Sequence, residues 1–304
     1  MVCLVALAVG GYLIFIISGA SGGSPMTSGG ATVDQGDRVA FDSPHVNALA
    51  VPLALAAGWL LTDVWRVLGF FFYVTCHEIG HAAAAWLGGY WSFPVPAGVA
   101  IVSGKPSFFV SAAVAAAIAY GLWIAGTKRW YPLFVLFLAL AAGQAYLSFV
   151  VDQAGWEQWM IFSGCAGEFI LSAVIIMAFY HRLPDVLRWD FFRYPLMVAA
   201  AFTLMASAHF WMGVQSDPET MILGGDEIST SRRTSHDMVR LVRVSKWTAR
   251  QVADRYATVY RASFAGVFAY YLWFLLIAST KRPKPPAPKP EPEDLPDPPN
   301  LSPR

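Results

Sequence analysis

Residues 70–89 read FFFYVTCHEIGHAAAAWLGG. Apolar flanks enclose three ionisable side chains, His77, Glu78 and His81. With the residues before it, the stretch forms an apolar segment over 66–88, long enough for a membrane helix, which needs roughly 17–25 residues. On a helix, positions i and i+4 share a face, so both imidazoles reach one ion. Glu78 points beside that ion, where its carboxylate can take a proton from a water. Charged side chains inside a membrane helix cost about 2.5–3.5 kcal/mol each on insertion scales, which marks these residues as functional. The bland alternative is a helix whose His and Glu bond only to neighbouring spans or line a proton path.

Composition supports a membrane setting. The chain has 304 residues, of which 56% are hydrophobic and 13% charged. Ordinary soluble domains carry about 25% charged residues, so a soluble enzyme is disfavoured. A net charge of +1 gives no sign of a nucleic-acid partner. Cys3, Cys76 and Cys165 stand alone without a CxxC pair, which argues against a disulfide framework or a thiolate zinc site.

The expected fold is all-α: a polytopic transmembrane helical bundle of seven or eight spans. Apolar segments fall at 2–19, 66–88, 107–126, 132–151, 160–180, 196–213 and 263–280, with a shorter run at 48–62. The first is read as an uncleaved helix, because no Lys or Arg precedes it. It forms, with a Gly/Ser-rich loop, a segment 1–47. A membrane-embedded core follows at 48–213, and a polar, partly helical segment at 214–262. The last span is 263–280, and the tail 281–304 is Pro-rich and expected to be disordered. Within 214–262, Thr234-x-x-Asp237 and Thr248-x-x-Gln251 read as helix starts.

HEIGHAAAAWLGG inside a span resembles the site-2 protease family of zinc-dependent intramembrane metallopeptidases. The resemblance covers residues 66–90 and, more loosely, the core that follows. It implies His77 and His81 as zinc ligands and Glu78 as catalytic base. It also implies a Zn2+ cofactor and a membrane or membrane-proximal peptide substrate. The family's LDG motif, which supplies an aspartate as third ligand, is absent here.

Catalytic zinc usually takes three protein ligands and a water. His81 lies about 10 Å below the end of its helix near Gly88, at about 1.5 Å per residue. The third ligand should therefore come from that end of the bundle. Asp237, in Ser235-His-Asp237, is the leading candidate, with His236 beside it. A Gly-Gly and later His-Asp pattern at 224–237 resembles one seen in predicted site-2-protease-like membrane peptidases. Glu168 is the other candidate, flanked by Gly164 and Gly167, which allow close helix approach. It would suit the other membrane HExxH peptidases, except that Ser172 stands where their ExxxD continuation has Asp. Asp152 and Asp226 read as solvated boundary residues, and His209 as an interfacial or packing residue.

The leading function is an integral-membrane zinc metallopeptidase in a cell or inner membrane. The alternative is a transporter or regulatory membrane protein with a relict metal site. Nine basic residues fall on each side of the expected bundle, so charge counting leaves the orientation open.

Overall fold

The computed structural model describes residues 44–63, 69–95, 98–127, 131–180, 189–218 and 232–280. The chain is mostly helical. Its helices are α1 (Pro44–Leu60), α2 (Phe70–Leu87), α3 (Phe108–Thr127) and α4 (Tyr131–Ala145), which ends in a π-helical turn at Tyr146–Val150. They continue with α5 (Gln153–Ala178), α6 (Trp189–Ser216), α7 (Arg232–Ser245) and α8 (Ala249–Thr280). Among the described residues, four segments are long and apolar enough to cross a membrane: α3, α5, Phe192–Ser216 of α6 and Ala249–Leu276 of α8. Much of α3 faces outward, with Phe108, Phe109 and Trp123 exposed. Such a surface would be costly in water and suits lipid.

The described residues do not show the full count of seven or eight spans. The helix carrying HEIGH is not among the four, because its His and Glu side chains lower its hydropathy. Helices α1 and α4 are shorter apolar elements. The first apolar segment, 2–19, and the tail, 281–304, lie outside the described residues.

Helix α5 forms the centre of the bundle, lying against α2, α6, α7 and α8. Its start is fixed by Asp152, whose carboxylate accepts the Gly155 amide at 2.8 Å. Glycines set its contact with α2. A Cβ added to Gly80 would come within 2.3 Å of the Ser163 carbonyl, and one added to Gly167 within 2.7 Å of the Gly80 Cα. Bare backbone on both faces therefore brings the two helices together, as expected for Gly167.

The structure corrects the all-α expectation at 89–106. Tyr90–Val95 and Val99–Pro106 form an antiparallel hairpin, β1–β2, with a bulge between Tyr90 and Ser92. The inward residues Tyr90 and Ser92 alternate with exposed Trp91 and Phe93, a period-2 pattern. Pro94, Pro96 and Pro106 disguise that pattern in the sequence. Tyr90 stacks on Trp156 at 3.7 Å and donates to Gln153 at 2.8 Å, which seats the hairpin on the start of α5.

Within the polar segment, Arg232–Ser245 and the residues from Ala249 onward are helical. Thr248 and Gln251 form a reciprocal capping box, with bonds of 3.0 and 3.2 Å, at the start of α8. Helix α8 then runs unbroken into the last apolar segment. The cap expected at Thr234 is not the start of its helix. Helix α7 begins at Arg232, which puts Asp237 in the second turn, free to face the bundle.

Candidate metal centre

His77 and His81 lie one turn apart on α2, both buried, with rings edge to face at a centroid distance of 4.7 Å. Their Nε2 atoms are 3.1 Å apart. The Oδ2 atom of Asp237 lies 3.2 Å from each. The site thus joins α2 to α7 across 156 and 160 residues of chain. Zinc bonds of about 2.0–2.1 Å in a tetrahedron leave ligand atoms about 3.3 Å apart. The observed triangle matches that spacing closely, so these three residues can hold one metal ion.

The far sides of the rings fix the proton positions. His81 Nδ1 lies 2.7 Å from the Met160 carbonyl, which can only accept, so we assign a proton to that nitrogen. His77 Nδ1 lies 2.8 Å from Glu168 Oε1, and Ser207 donates to Glu168 Oε2 at 2.7 Å. With Nδ1 protonated on both rings, each neutral imidazole turns an Nε2 lone pair towards Asp237. Asp237 is itself anionic. Burial pushes its carboxyl up, but His77 and His81, when they carry protons on the nitrogens facing it, outweigh burial and hold it well below the usual carboxylate range; a metal ion would take the place of those protons. Three electron-rich atoms therefore converge. One proton would satisfy only part of the triangle, whereas one divalent cation satisfies all of it.

Gly164 makes room for this arrangement. A Cβ there would come within 2.5 Å of His81 Nε2 and 2.8 Å of His77 Nε2. Glu78, also on α2, is buried at 5% exposure beside His77.

Glu168 faces the Nδ1 side of His77, away from His81. It cannot share an ion with both Nε2 atoms, so it orients His77 rather than completing the triangle. Cys165 forms a second grouping with His77 and Glu168, their ligand atoms within 4.8 Å of one another. Asp152 caps α5, and His209 packs near Trp59 at 5.3 Å. Asp226 and the side chain of His236 lie outside the described residues.

Two partners were missed in the sequence. The Met160 carbonyl leaves no sequence signature, because any residue supplies one. Ser207 lies two residues before His209, outside any motif read in the sequence, and packing of α6 on α5 brings it to Glu168. Truncating Glu168 to alanine is expected to weaken metal binding about 10–100-fold, the usual cost of losing a ligand's outer partner. Glu168→Gln, which can still accept from His77, is expected to cost less. Competitive titration with a chromophoric chelator would measure both.

No known family, curated protein or solved structure matches the chain.

Proposed function

We propose that the chain is an integral-membrane zinc metallopeptidase of the site-2 type, with seven or eight spans, acting on membrane or membrane-proximal peptides. The observation that supports it most is the triangle of His77 Nε2, His81 Nε2 and Asp237 Oδ2, with edges of 3.1, 3.2 and 3.2 Å, with Glu78 also buried on the helix that carries the two histidines. Two imidazoles and one carboxylate suit zinc with a coordination position left open. Bound zinc would supply a water of pKa about 7 and polarise the substrate carbonyl.

The rest of the chemistry falls to the chain. Glu78 accepts the proton of the attacking water and passes it to the leaving amine. Glu168 and Ser207 hold the His77 ring in its tautomer, and Met160 does the same for His81. The buried setting restricts bulk water, which strengthens each electrostatic contact.

Elemental analysis of the protein purified in detergent tests the reading. About one zinc per chain is expected in the wild type. Asp237→Asn, folded by circular dichroism, is expected to lose most of it, because an amide is a far poorer zinc ligand than a carboxylate. A wild type that takes up no metal when zinc is supplied would sink the proposal.

A further inference from the structure

The helix that delivers Asp237 carries a charge excess on its other face that the metal centre does not use. From 238 to 263 the chain has Arg240, Arg243, Lys246, Arg250, Arg255 and Arg261 against Asp254 alone. All six cations are exposed. Arg240 contacts Glu157 on α5, Arg250 lies 3.5 Å from Asp254, and Arg255 stacks over Trp247 at 4.0 Å. Among the described residues, no carboxylate lies within ion-pairing distance of Arg243 or Lys246.

The opposite face of α7 is apolar and committed. Met238 and Leu241 are buried in the core that α5 and α8 share. Helix α7 is therefore an amphipathic element packed on α5 and α8, apolar side inward and basic side outward. Trp156, Trp159 and Trp247 gather at the same end, in contact with that core or with the hairpin. Indole rings favour the headgroup level of a bilayer. Cations at that depth meet phosphates, and each gains about fivefold in association with an anionic surface.

We propose that the basic face of α7 and the start of α8 bind the headgroups of anionic phospholipids. The bound headgroups hold α7 against α5, and with it Asp237 against the two histidines. Asp237 and Arg240 are one turn apart on α7, and Arg243 is one turn further. The step to Asp237 rests on the metal-centre reading; headgroup binding does not.

The experiment uses the full chain in nanodiscs of phosphatidylcholine, or of phosphatidylcholine with phosphatidylglycerol. Native mass spectrometry counts the retained lipids, and hydrogen exchange follows the amides of 232–245. Wild type is expected to retain phosphatidylglycerol preferentially and to exchange more slowly in anionic discs. Arg243→Gln with Lys246→Gln is expected to reduce the preference about tenfold or more. It should also abolish the difference in exchange. Equal retention of the two lipids by the wild type would overturn the proposal, as would an unchanged preference in the double variant. Preferential retention with exchange indifferent to lipid charge would overturn the holding of α7. Neither readout needs a metal ion, so a failed metal centre and a failed lipid surface give different results.

Discussion

Replacing either His77 or His81 with alanine is expected to abolish metal retention. Structural zinc sites bind with about 10–16 kcal/mol at neutral pH. A one-third share of that, about 3–5 kcal/mol, corresponds to roughly two to four orders of magnitude in affinity. The two variants should differ in stability, because their far-side partners differ. His77→Ala leaves Glu168, fully buried, with Ser207 as its one remaining hydrogen-bond donor in this network. Stranding a buried acceptor costs about 1–3 kcal/mol, and more for a charged one. His81→Ala removes one donor from the Met160 carbonyl, which still accepts from the Ser163 hydroxyl at 2.6 Å. Both variants should read as metal-free by elemental analysis, and His77→Ala should melt at the lower temperature. Equal zinc in the wild type and in both variants would show that the metal sits elsewhere.

How much of this was legible in the sequence depended on the range of the signal. The pairing of His77 with His81 is local, fixed by helical periodicity, and needs no knowledge of the fold. The capping box at Thr248 and Gln251 is equally local, and its two bonds are present. A close helix approach was readable at Gly164 and Gly167, but that α2 is the helix that approaches, at Gly80, comes from the structure. Asp237 was harder. Its place opposite the histidines depends on α7 folding back over α5 across more than 150 residues of chain. Topology narrowed the search to one end of the bundle, but several acidic residues shared that end. The separate parts of Glu168 and Asp237 could not be told apart by residue type, since both are carboxylates. What separates them is which ring nitrogen of His77 each one faces. The hairpin was hidden for a different reason. Its alternation is short, and its three prolines read as loop punctuation.

Glu78→Gln should divide the remaining functions from one another. The substitution keeps the side chain's size, and Glu78, adjacent to His77 in the chain, is not among the three residues of the triangle. Metal content should therefore stay at the wild-type level. The amide cannot take a proton from water, so peptide-bond cleavage is expected to fall about 10²–10⁴-fold, the usual contribution of a general base. The assay follows cleavage of apolar transmembrane peptides by mass spectrometry, with enzyme and peptides in the same bicelles. Cleavage that depends on both Glu78 and zinc would establish the peptidase. Cleavage that is equal in wild type and Glu78→Gln would assign the activity to a contaminant or to another base. Zinc held by His77, His81 and Asp237 with no Glu78-dependent cleavage of any peptide would favour the transporter or regulatory reading. In that case, the buried carboxylate at 78 would have to act in proton transfer along α2 rather than in hydrolysis. A proton path would then show as a Glu78-dependent change in proton flux across proteoliposomes. The two chemistries thus make opposite demands on the same residue: one needs a bond cleaved at the metal, the other a proton passed on without it.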